Sequence, residues 1–265
     1  MELGKLRIDP VVDGEGRFKP MQSFRGTTAE DWAMHRDLLD ADGLLPFVMG
    51  GFLVRGNGHT TLVDLGLGPK SLMGIQGGAF LDNLGAYGLT PADITDVLFT
   101  HLHEDHIGWG VQDGKITFPK ATYRASSADV EHFFRGDGAN KAERSVLDVI
   151  GSHIVAWDAN TTTNIVPGID QFAAPGHTPG SSVIVLSSDD HRAMLLGDTV
   201  HCPVQLVDEE WAGLFDVDPT LARETRRSLI REIEGSGSQV AAAHFPGLKF
   251  GRLLAGQGRR QWRVP

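Results

Sequence analysis

The segment 99–110, FTHLHEDHIGWG, follows an apolar run and places three histidines and two carboxylates within six residues. In an extended segment or a tight loop, side chains at i and i+2 point the same way, so His101 and His103 can bind one ion. Asp105 and His106 follow where the chain turns towards a helix, and they can face a second ion beside the first. Imidazole and carboxylate groups suit Zn²⁺ or a similar divalent metal, so the segment predicts a metal site at the end of a buried strand.

Short apolar runs alternate with turn signals along the chain, which is typical of a protein rich in short strands. The pairs Asn57-Gly58 and Asp189-Asp190 each separate two such runs and predict two hairpins. Because hairpins are antiparallel, they argue against a purely parallel sheet and favour an α/β fold with mixed sheets. The predicted strands are 46–56, 59–66, 96–100, 120–126, 181–188, 192–198 and 239–245.

One helix is clearly marked in the C-terminal part of the chain. Asp218 is a good N-cap, Pro219 suits the first helical position and Gly235 is a natural stop. We expect the arginines of this helix to form a solvated face: Arg223, Arg226, Arg227 and Arg231. A second helix is predicted to begin at Ser126, with Asp129 as its capping-box partner.

Composition places bounds on the function. With 265 residues, 41% hydrophobic content and no linker or charge block, the chain is expected to form one domain over residues 1–265. A net charge of −10 argues against a nucleic-acid partner, which normally needs a basic face. Cys202 is the single cysteine, and the sequence shows no signal peptide and no run of 18 apolar residues. We therefore expect a cytoplasmic protein without a membrane partner, and we leave a homodimer open.

The pattern His-x-His-x-Asp-His, followed by Gly108 and Trp109, resembles the signature of the metallo-β-lactamase superfamily of hydrolases. The rest of that family's pattern is present in the same order. Its members are Asp64 in TLVDLGLG, His177 in APGHTPGS, Asp198 in LLGDTVH and His244 in AAAHFPG. The resemblance spans residues 64–244, which is most of the chain.

This resemblance implies a four-layer αββα sandwich of two mixed β-sheets flanked by helices, with the site at one sheet edge. It also implies two divalent metal ions per chain, with Zn as the expected metal. The implied ligands are His101, His103 and His177 for the first ion, and Asp105, His106 and His244 for the second. Asp198 would bridge the two ions, and Asp64 would hold the motif loop without touching metal.

For function, the resemblance implies hydrolysis by a hydroxide that bridges the two metals. We expect the substrate to be a lactone or a carboxylic ester, and we expect Asp105 to shuttle a proton to the leaving group. Many true β-lactamases have a cysteine ligand where this chain has Asp198, so β-lactam hydrolysis is disfavoured. Acyl-homoserine lactonases often have a tyrosine three residues after that aspartate. Here the residue is His201, which is predicted either to hydrogen-bond the substrate or to be an ordinary loop residue.

Three alternatives stay open. The C-terminal arginines Arg259, Arg260 and Arg263 leave room for a thioester hydrolase of the S-lactoylglutathione type. A phosphotriesterase side activity is compatible with the same site, because a metal can polarise either a carbonyl or a phosphoryl oxygen. A catalytically silent metal-binding protein is the alternative outside the enzymes.

Two ranges of the sequence are candidates for the wall of the substrate pocket. The ranges 22–45 and 70–87 contain large apolar residues, and we expect either one to form an apolar wall or lid. Cys202 is interpreted as a small buried packing residue. Glu104 fills the variable slot of the motif, and we expect it to point away from the metals.

Overall fold

The computed structural model describes residues 1–256 and 259–265. Their strands are β1 (Glu2–Leu3), β2 (Leu6–Phe18), β3 (Leu45–Gly56), β4 (His59–Val63), β5 (Ser71–Leu72), β6 (Ile75–Gln76), β7 (Asp96–Leu98), β8 (Val111–Gln112), β9 (Lys115–Ile116), β10 (Thr122–Ser126), β11 (Ile154–Trp157), β12 (Thr163–Val166), β13 (Ile169–Ala173), β14 (Ser182–Ser188), β15 (His191–Leu195), β16 (Gln239–Ala241), β17 (Arg252–Leu254) and β18 (Gln261–Arg263).

The α-helices of the same residues are α1 (Ala29–Ala33), α2 (Phe80–Ala86), α3 (Glu104–Ile107), α4 (Ser127–Asp129), α5 (Lys141–Ile150), α6 (Val204–Val207) and α7 (Pro219–Ile233). Within this described part of the chain, no helix is both long and apolar enough to cross a membrane.

Two mixed sheets form the body of the protein. The first has the strand order β1-β2-β3-β4-β7-β10-β11, with antiparallel pairs as far as β4 and parallel pairs beyond it. The second has the order β12-β13-β14-β15-β16, and its β15–β16 pair is parallel. Because parallel neighbours end at the same edge, the loops after β4 and β7 lie together, as do those after β15 and β16.

Alternating side chains along the strands separate three apolar layers. In the first sheet, Leu53 faces the helices α2 and α5, whereas its neighbour Val54 faces the second sheet. In the second sheet, Leu186 faces the first sheet, whereas Val185 packs against α7. The order helix, sheet, sheet, helix confirms the predicted four-layer αββα sandwich.

The turn residues explain the predicted hairpins. Between β3 and β4, both Asn57 (φ +51°) and Gly58 (φ +82°) have positive φ, and such a turn matches the right-handed twist of the two strands. The strands β14 and β15 form the second predicted hairpin. The late strand is shorter than predicted, because β16 ends at Ala241 and a loop continues from there.

Helix α7 begins and ends as predicted. Asp218 caps it by accepting two backbone N–H hydrogen bonds, and Gly235 follows its end with φ +67°. The predicted arginine face is wrong at one position, because Arg226 is only 1% exposed. Its guanidinium points inwards, where three backbone carbonyls and the Asp216 carboxylate surround it. The other arginines of that face are half-exposed or exposed: Arg223, Arg227 and Arg231.

The predicted capping box at Ser126 is half correct. Ser126 Oγ accepts a backbone hydrogen bond from the first turn of α4, so this residue caps the helix as predicted. Asp129 is wrong as its partner, because the carboxylate turns inwards and accepts hydrogen bonds from the N–H groups of Leu102 and Gly180. The chain continues beyond α4 as a π-helical turn, Val130–Arg135.

A buried carboxylate joins the loop after β4 to the histidine-rich segment. Asp13 Oδ2 accepts hydrogen bonds from the N–H groups of Leu67 and Gly68 at 2.8 and 2.9 Å. Its Oδ1 accepts from two further backbone N–H groups and, at 2.7 Å, from Trp109 Nε1. Asp13 is 1% exposed, so these five donors compensate for its lost hydration.

The substitution Asp13→Asn tests this contact. It removes the charge and turns an amide N–H₂ group towards backbone N–H donors. We expect the free energy of unfolding in urea to fall by roughly 3 kcal/mol, because charge-assisted bonds are lost and buried N–H groups lose their acceptor. Asp42→Asn, at an exposed carboxylate that pairs with Arg17, is the control and should cost at most about 1 kcal/mol. Equal losses in the two variants would contradict the role given to Asp13.

Candidate metal centre

The candidate ligands lie at one edge of the sandwich, in loops that follow or join strands and, for Asp105 and His106, in the short helix α3. Asp64 follows β4, and the segment 101–106 follows the neighbouring strand β7. Asp198 follows β15, and His244 lies beyond the end of the neighbouring strand β16. His177 lies in the loop between β13 and β14. The parallel pairs β4–β7 and β15–β16 therefore bring these loops together.

Two groups of side chains converge from these loops. One group consists of three histidines whose candidate ligand atoms lie within 4.8 Å of one another: His101, His103 and His177. The other group consists of Asp105, His106 and His244, and its candidate ligand atoms also lie within 4.8 Å of one another. The structure thus brings together each of the two residue sets that the sequence analysis distinguished.

Asp198 lies between the two groups. Its Oδ1 is 3.3 Å from His106 Nε2, and its Oδ2 is 3.1 Å from His244 Nε2. The same Oδ2 lies 3.4 Å from His177 Nε2 and 3.9 Å from His101 Nε2. Both groups therefore face one buried carboxylate, as the ligands of a two-metal site do.

Burial and neighbouring charges set the ionisation of the histidines. Burial, followed by repulsion from His106, holds the pKa of His101 well below its usual value. Burial and His177 lower the pKa of His103 to about 3. Burial also lowers the pKa of His106, but the carboxylates around it, Asp198 first, outweigh burial and raise it well above its usual value. Burial also lowers the pKa of His177, so the first group is neutral at pH 7, which is the state in which imidazole binds metal.

The carboxylates of the cluster are ionised. Burial raises the pKa of Asp198, but the surrounding histidines, His244 first, outweigh burial and hold it well below its usual value. Burial also raises the pKa of Asp105, and His106 and His244 reverse that effect so that the pKa is lowered. Both carboxylates are therefore anionic oxygen donors at neutral pH.

Buried polar atoms of this cluster have no hydrogen-bond partner among the residues that the structure describes. They include Nε2 of His101, Nε2 of His106 and Oδ1 of Asp198. Each such unsatisfied atom costs about 1–3 kcal/mol. Divalent metal ions would satisfy all three atoms, and a histidine–aspartate donor set is one that Zn²⁺ and similar ions prefer. The residues present therefore fit a metal centre.

Asp64 lies beside the histidine-rich loop. Its Oδ2 accepts a hydrogen bond from His106 Nδ1 at 2.9 Å, and its two oxygens accept from the N–H and the hydroxyl of Thr100, both at 2.8 Å. Asp64 has a φ of +60°, which is uncommon for a residue with a side chain and persists here because these contacts hold it. The contacts orient the His106 ring and leave its Nε2 facing Asp198.

Two further histidines are oriented by residues that the sequence analysis missed. His177 Nδ1 donates to Asp216 Oδ1 at 3.1 Å, and His244 Nδ1 donates to the backbone oxygen of Val48 at 2.8 Å. Such contacts fix the ring and its tautomer, so that Nε2 is free to bind metal. Neither contact has a local sequence signal, because each partner lies far along the chain.

Asp129 is the third residue that the sequence analysis did not assign to the site. Its Oδ2 accepts from Leu102 N–H at 3.1 Å and Thr178 Oγ1 at 3.0 Å, and its Oδ1 accepts from Gly180 N–H at 2.6 Å. Burial raises the pKa of Asp129 to about 7, and these three hydrogen bonds oppose that shift. Asp129 therefore ties the His-x-His loop to the loop that carries His177.

A cavity of about 330 Å³ opens onto the cluster. Its polar lining includes Glu143 and Glu104, and within the described part of the chain no lysine or arginine lines it. Glu104 lines the cavity and pairs with Lys70 Nζ at 3.0 Å, and it belongs to none of the candidate metal groups of the described residues, in line with the expectation that it does not bind metal. Much of the remaining wall is apolar: Phe18, Phe24, Leu45, Phe47, Met49, Leu72, Met73, Leu214 and Phe215.

Both predicted wall segments contribute to this cavity. The range 22–45 supplies Phe24 and Leu45, and the range 70–87 supplies Leu72 and Met73. Trp32, the other large aromatic of the first range, packs against Phe24 and is not part of the cavity lining. The wall is therefore built from both segments, each of which contributes only some of its apolar residues.

His201 lines the cavity three residues after Asp198. Its Nε2 lies 3.3 Å from Asp198 Oδ2, and neither of its ring nitrogens has a hydrogen-bond partner among the described residues. His177, Asp198 and His201 also form a group whose ligand atoms lie within 4.8 Å of one another. His201 can therefore donate a hydrogen bond to a molecule in the cavity or bind a metal.

An αββα sandwich with a buried histidine–aspartate cluster at one edge is the architecture of a two-metal protein class. A family model described as the metallo-beta-lactamase superfamily matches residues 51–244, which is more than half of the chain. The chain belongs to this superfamily, as the sequence resemblance predicts.

The chain is also similar to individual relatives and solved structures. An N-acyl homoserine lactonase from Bacillus sp is 24% identical over 173 residues, covering 58% of this chain and 64% of that protein, so the match spans less than two thirds of the relative's length. AidC, a dizinc quorum-quenching lactonase solved with a product, N-hexanoyl-L-homoserine, has a TM-score of 0.88 at 24% identity, over 100% of this chain and 96% of AidC. The hydrolase AbOPH of the beta lactamase superfamily has a TM-score of 0.86 at 25% identity, over 100% and 96% of the two chains.

Cys202 follows His201 and is buried, which agrees with its interpretation as a packing residue. It is 4% exposed, in an apolar cluster with Phe24 and Val204. Burial raises the pKa of its thiol to about 12. The reactive thiolate form is therefore scarce at ordinary pH.

We expect the native protein to resist thiol alkylation at pH 8. A pKa of about 12 leaves roughly one thiol in ten thousand ionised at that pH, because four pH units separate the two values. Iodoacetamide labelling followed by mass spectrometry should therefore be at least about 100-fold slower for the native than for the urea-unfolded protein. Similar rates in the two states would show that Cys202 is neither buried nor perturbed.

Proposed function

We propose that this chain is a hydrolase that uses two divalent metal ions, with Zn as the expected metal, to open a lactone or a carboxylic ester. The observation that carries the proposal is the position of Asp198, whose carboxylate faces both ligand groups and lines the apolar cavity. Membership of the superfamily over residues 51–244 supports the reaction class. We propose further that residues 1–265 form one domain around this site.

The two ligand groups divide the metals between them. In this proposal His101, His103 and His177 would hold the first ion, and Asp105, His106 and His244 would hold the second. Asp198 would be a ligand of both ions, and Asp64 would orient His106 without touching metal. When bound there, the two ions supply hydroxide at neutral pH by lowering the pKa of water, and they polarise the carbonyl oxygen of the substrate.

Asp105 and His201 are the side chains that we propose act on the substrate and its proton. Asp105 lines the cavity with its side chain 15% exposed, and its lowered pKa keeps it ionised, so it can accept a proton and pass it to the leaving oxygen. His201 lines the same cavity with both ring nitrogens free, so it can donate a hydrogen bond to the carbonyl or the leaving oxygen.

The cavity lining favours a neutral substrate with an apolar substituent. Apolar side chains form most of the wall away from the cluster, and no lysine or arginine of the described chain lines it. Burial of apolar substrate surface therefore supplies the binding energy. AidC was solved with N-hexanoyl-L-homoserine, and a mutant of AiiA from B. thuringiensis, which is similar in fold, was solved with N-decanoyl-L-homoserine. Both of these molecules carry an apolar acyl chain.

The thioester alternative receives less support. S-lactoylglutathione carries two carboxylates, which the acidic and apolar lining does not match. The C-terminal arginines that left this alternative open are used elsewhere, since Arg259 pairs with Asp208 and Arg260 pairs with Glu209 and Glu234. A phosphotriesterase side activity stays compatible with the cavity, because a neutral triester meets the same requirements.

We expect hydrolysis of neutral lactones to become more efficient as their alkyl chain lengthens. Each methylene that enters the cavity contributes about 0.8 kcal/mol, so kcat/KM should rise up to about fourfold per carbon until the cavity is full. Assays with a pH indicator, which follow the acid released as the lactone opens, measure this dependence on a series from γ-butyrolactone to γ-decanolactone. Chelation of the metals should abolish the rate, and added Zn²⁺ should restore it.

The same assay with p-nitrophenyl esters, S-lactoylglutathione and a paraoxon-type triester separates the alternatives. If S-lactoylglutathione were the only substrate hydrolysed, thioesters would replace lactones and carboxylic esters as the substrate class. No turnover of any substrate at full metal occupancy would favour the catalytically silent metal-binding protein.

Paired substitutions separate metal binding from substrate contact. Asp198→Ala and His101→Ala should lower metal content, measured by elemental analysis, and kcat together, because each removes a proposed ligand. His201→Phe should keep about two metals per chain and lose roughly 100-fold in kcat, because it removes only a hydrogen-bond donor. His201→Tyr, which restores a donor, should recover part of that loss. A full rate in Asp198→Ala, or metal loss in His201→Phe, would contradict these assignments.

A further inference from the structure

Helix α7 carries a buried arginine that the proposed function does not use. Arg226 Nε donates to the backbone oxygen of Thr199, the residue after Asp198, at 3.0 Å. Its Nη1 donates to the backbone oxygens of Glu209 and Trp211 at 3.3 and 3.2 Å. One guanidinium therefore joins the loop of the central carboxylate to the segment 209–211.

The fourth contact of this guanidinium is with Asp216, which is hydrogen-bonded to the candidate metal ligand His177. Arg226 Nη2 lies 3.7 Å from Asp216 Oδ2, and Asp216 Oδ1 accepts the hydrogen bond from His177 Nδ1 at 3.1 Å. Both charged side chains are almost fully buried, so water screens their interaction little. A carboxylate behind a metal-binding histidine fixes the ring and raises its basicity. The arginine forms an ion pair with that carboxylate without a hydrogen bond, and neither Arg226 Nη2 nor Asp216 Oδ2 has a hydrogen-bond partner among the described residues, so the charge of Arg226 is the balancing charge for Asp216.

The same helix contacts the His177 loop at a second place. Thr225 Oγ1 donates to the backbone oxygen of Pro175 at 2.7 Å. Gly176 (φ +133°) packs so closely that a Cβ atom there would lie 2.2 Å from the backbone nitrogen of Ala222. Helix α7 therefore packs closely against the His177 loop. Arg226 is the residue of this helix that contacts Asp216, which accepts the hydrogen bond from His177.

We propose that Arg226 is a positioning residue that sets the metal affinity of the centre through Asp216 and His177. The inference rests on the proposed two-metal site, but it does not depend on which bond the enzyme hydrolyses. An arginine with a merely structural role would stabilise the fold and leave the metal affinity of the folded protein unchanged.

The test measures the zinc dissociation constants of the folded protein by competition with a chromogenic chelator. Arg226→Met keeps the length of the side chain and removes its charge and donors. We expect it to weaken one of the two zinc sites by about 10–100-fold and to change the visible absorption spectrum of the Co²⁺-substituted protein. Arg223→Met removes a half-exposed arginine of the same helix, and as the matched control it should leave the affinity and the spectrum unchanged.

A double-mutant cycle tests the path through Asp216. If Arg226 acts through this carboxylate, Arg226→Met should weaken zinc binding by no more than about twofold when Asp216→Asn is already present. Unchanged affinity in folded Arg226→Met, or fully additive losses in the cycle, would overturn the proposal.

Two further outcomes are also decisive. If Arg226→Met does not fold, Arg226→Lys replaces it, because lysine keeps the charge without the planar fork, and its zinc affinity should fall at least about threefold. Unchanged affinity in this variant would overturn the proposal.

A wild-type protein that binds zinc but opens no ester contradicts the proposed function and leaves the inference on Arg226 intact. A wild-type protein that binds no zinc overturns both.

Discussion

The arrangement of the site depends on one buried carboxylate placed among imidazoles. Asp198 lies within 3.1–3.9 Å of ring nitrogens from five histidines, which come from four segments of the chain: His101 and His106, His177, His201, and His244. Burying so many ionisable groups is costly unless their charges are matched and their hydrogen bonds satisfied. Asp198 supplies the matching charge, and two metal ions would supply the remaining partners for its neighbours.

Other buried carboxylates hold the loops around this centre. Each accepts hydrogen bonds from backbone or side-chain donors of a different loop: Asp13, Asp64, Asp129 and Asp216. All four of these contacts join segments that are far apart in the chain, so the precision of the site comes from tertiary structure rather than from the motif segment alone. Helix α7 extends this support to the His177 loop through Arg226.

Local sequence signals predicted single elements and the ligands of the histidine-rich segment, whereas the four-layer sandwich and the ligands His177, Asp198 and His244 were implied by the resemblance to the superfamily. The turn at Asn57-Gly58 and the N-cap Asp218 are readable within a few residues, and the histidine-rich segment stands out by composition. Asp216 and Asp129 could not be assigned to the site, because their partners become neighbours only after folding. Arg226 was misplaced for the same reason, since an arginine becomes buried only where distant segments supply acceptors for it.

The central claim is that two metals lie on either side of Asp198. An anomalous difference map from a zinc-loaded crystal, collected at the zinc absorption edge, tests it most directly. The account predicts two peaks about 3.5–4 Å apart, one bounded by His101, His103 and His177 and the other by Asp105, His106 and His244. A single peak, or peaks away from Asp198, would contradict it.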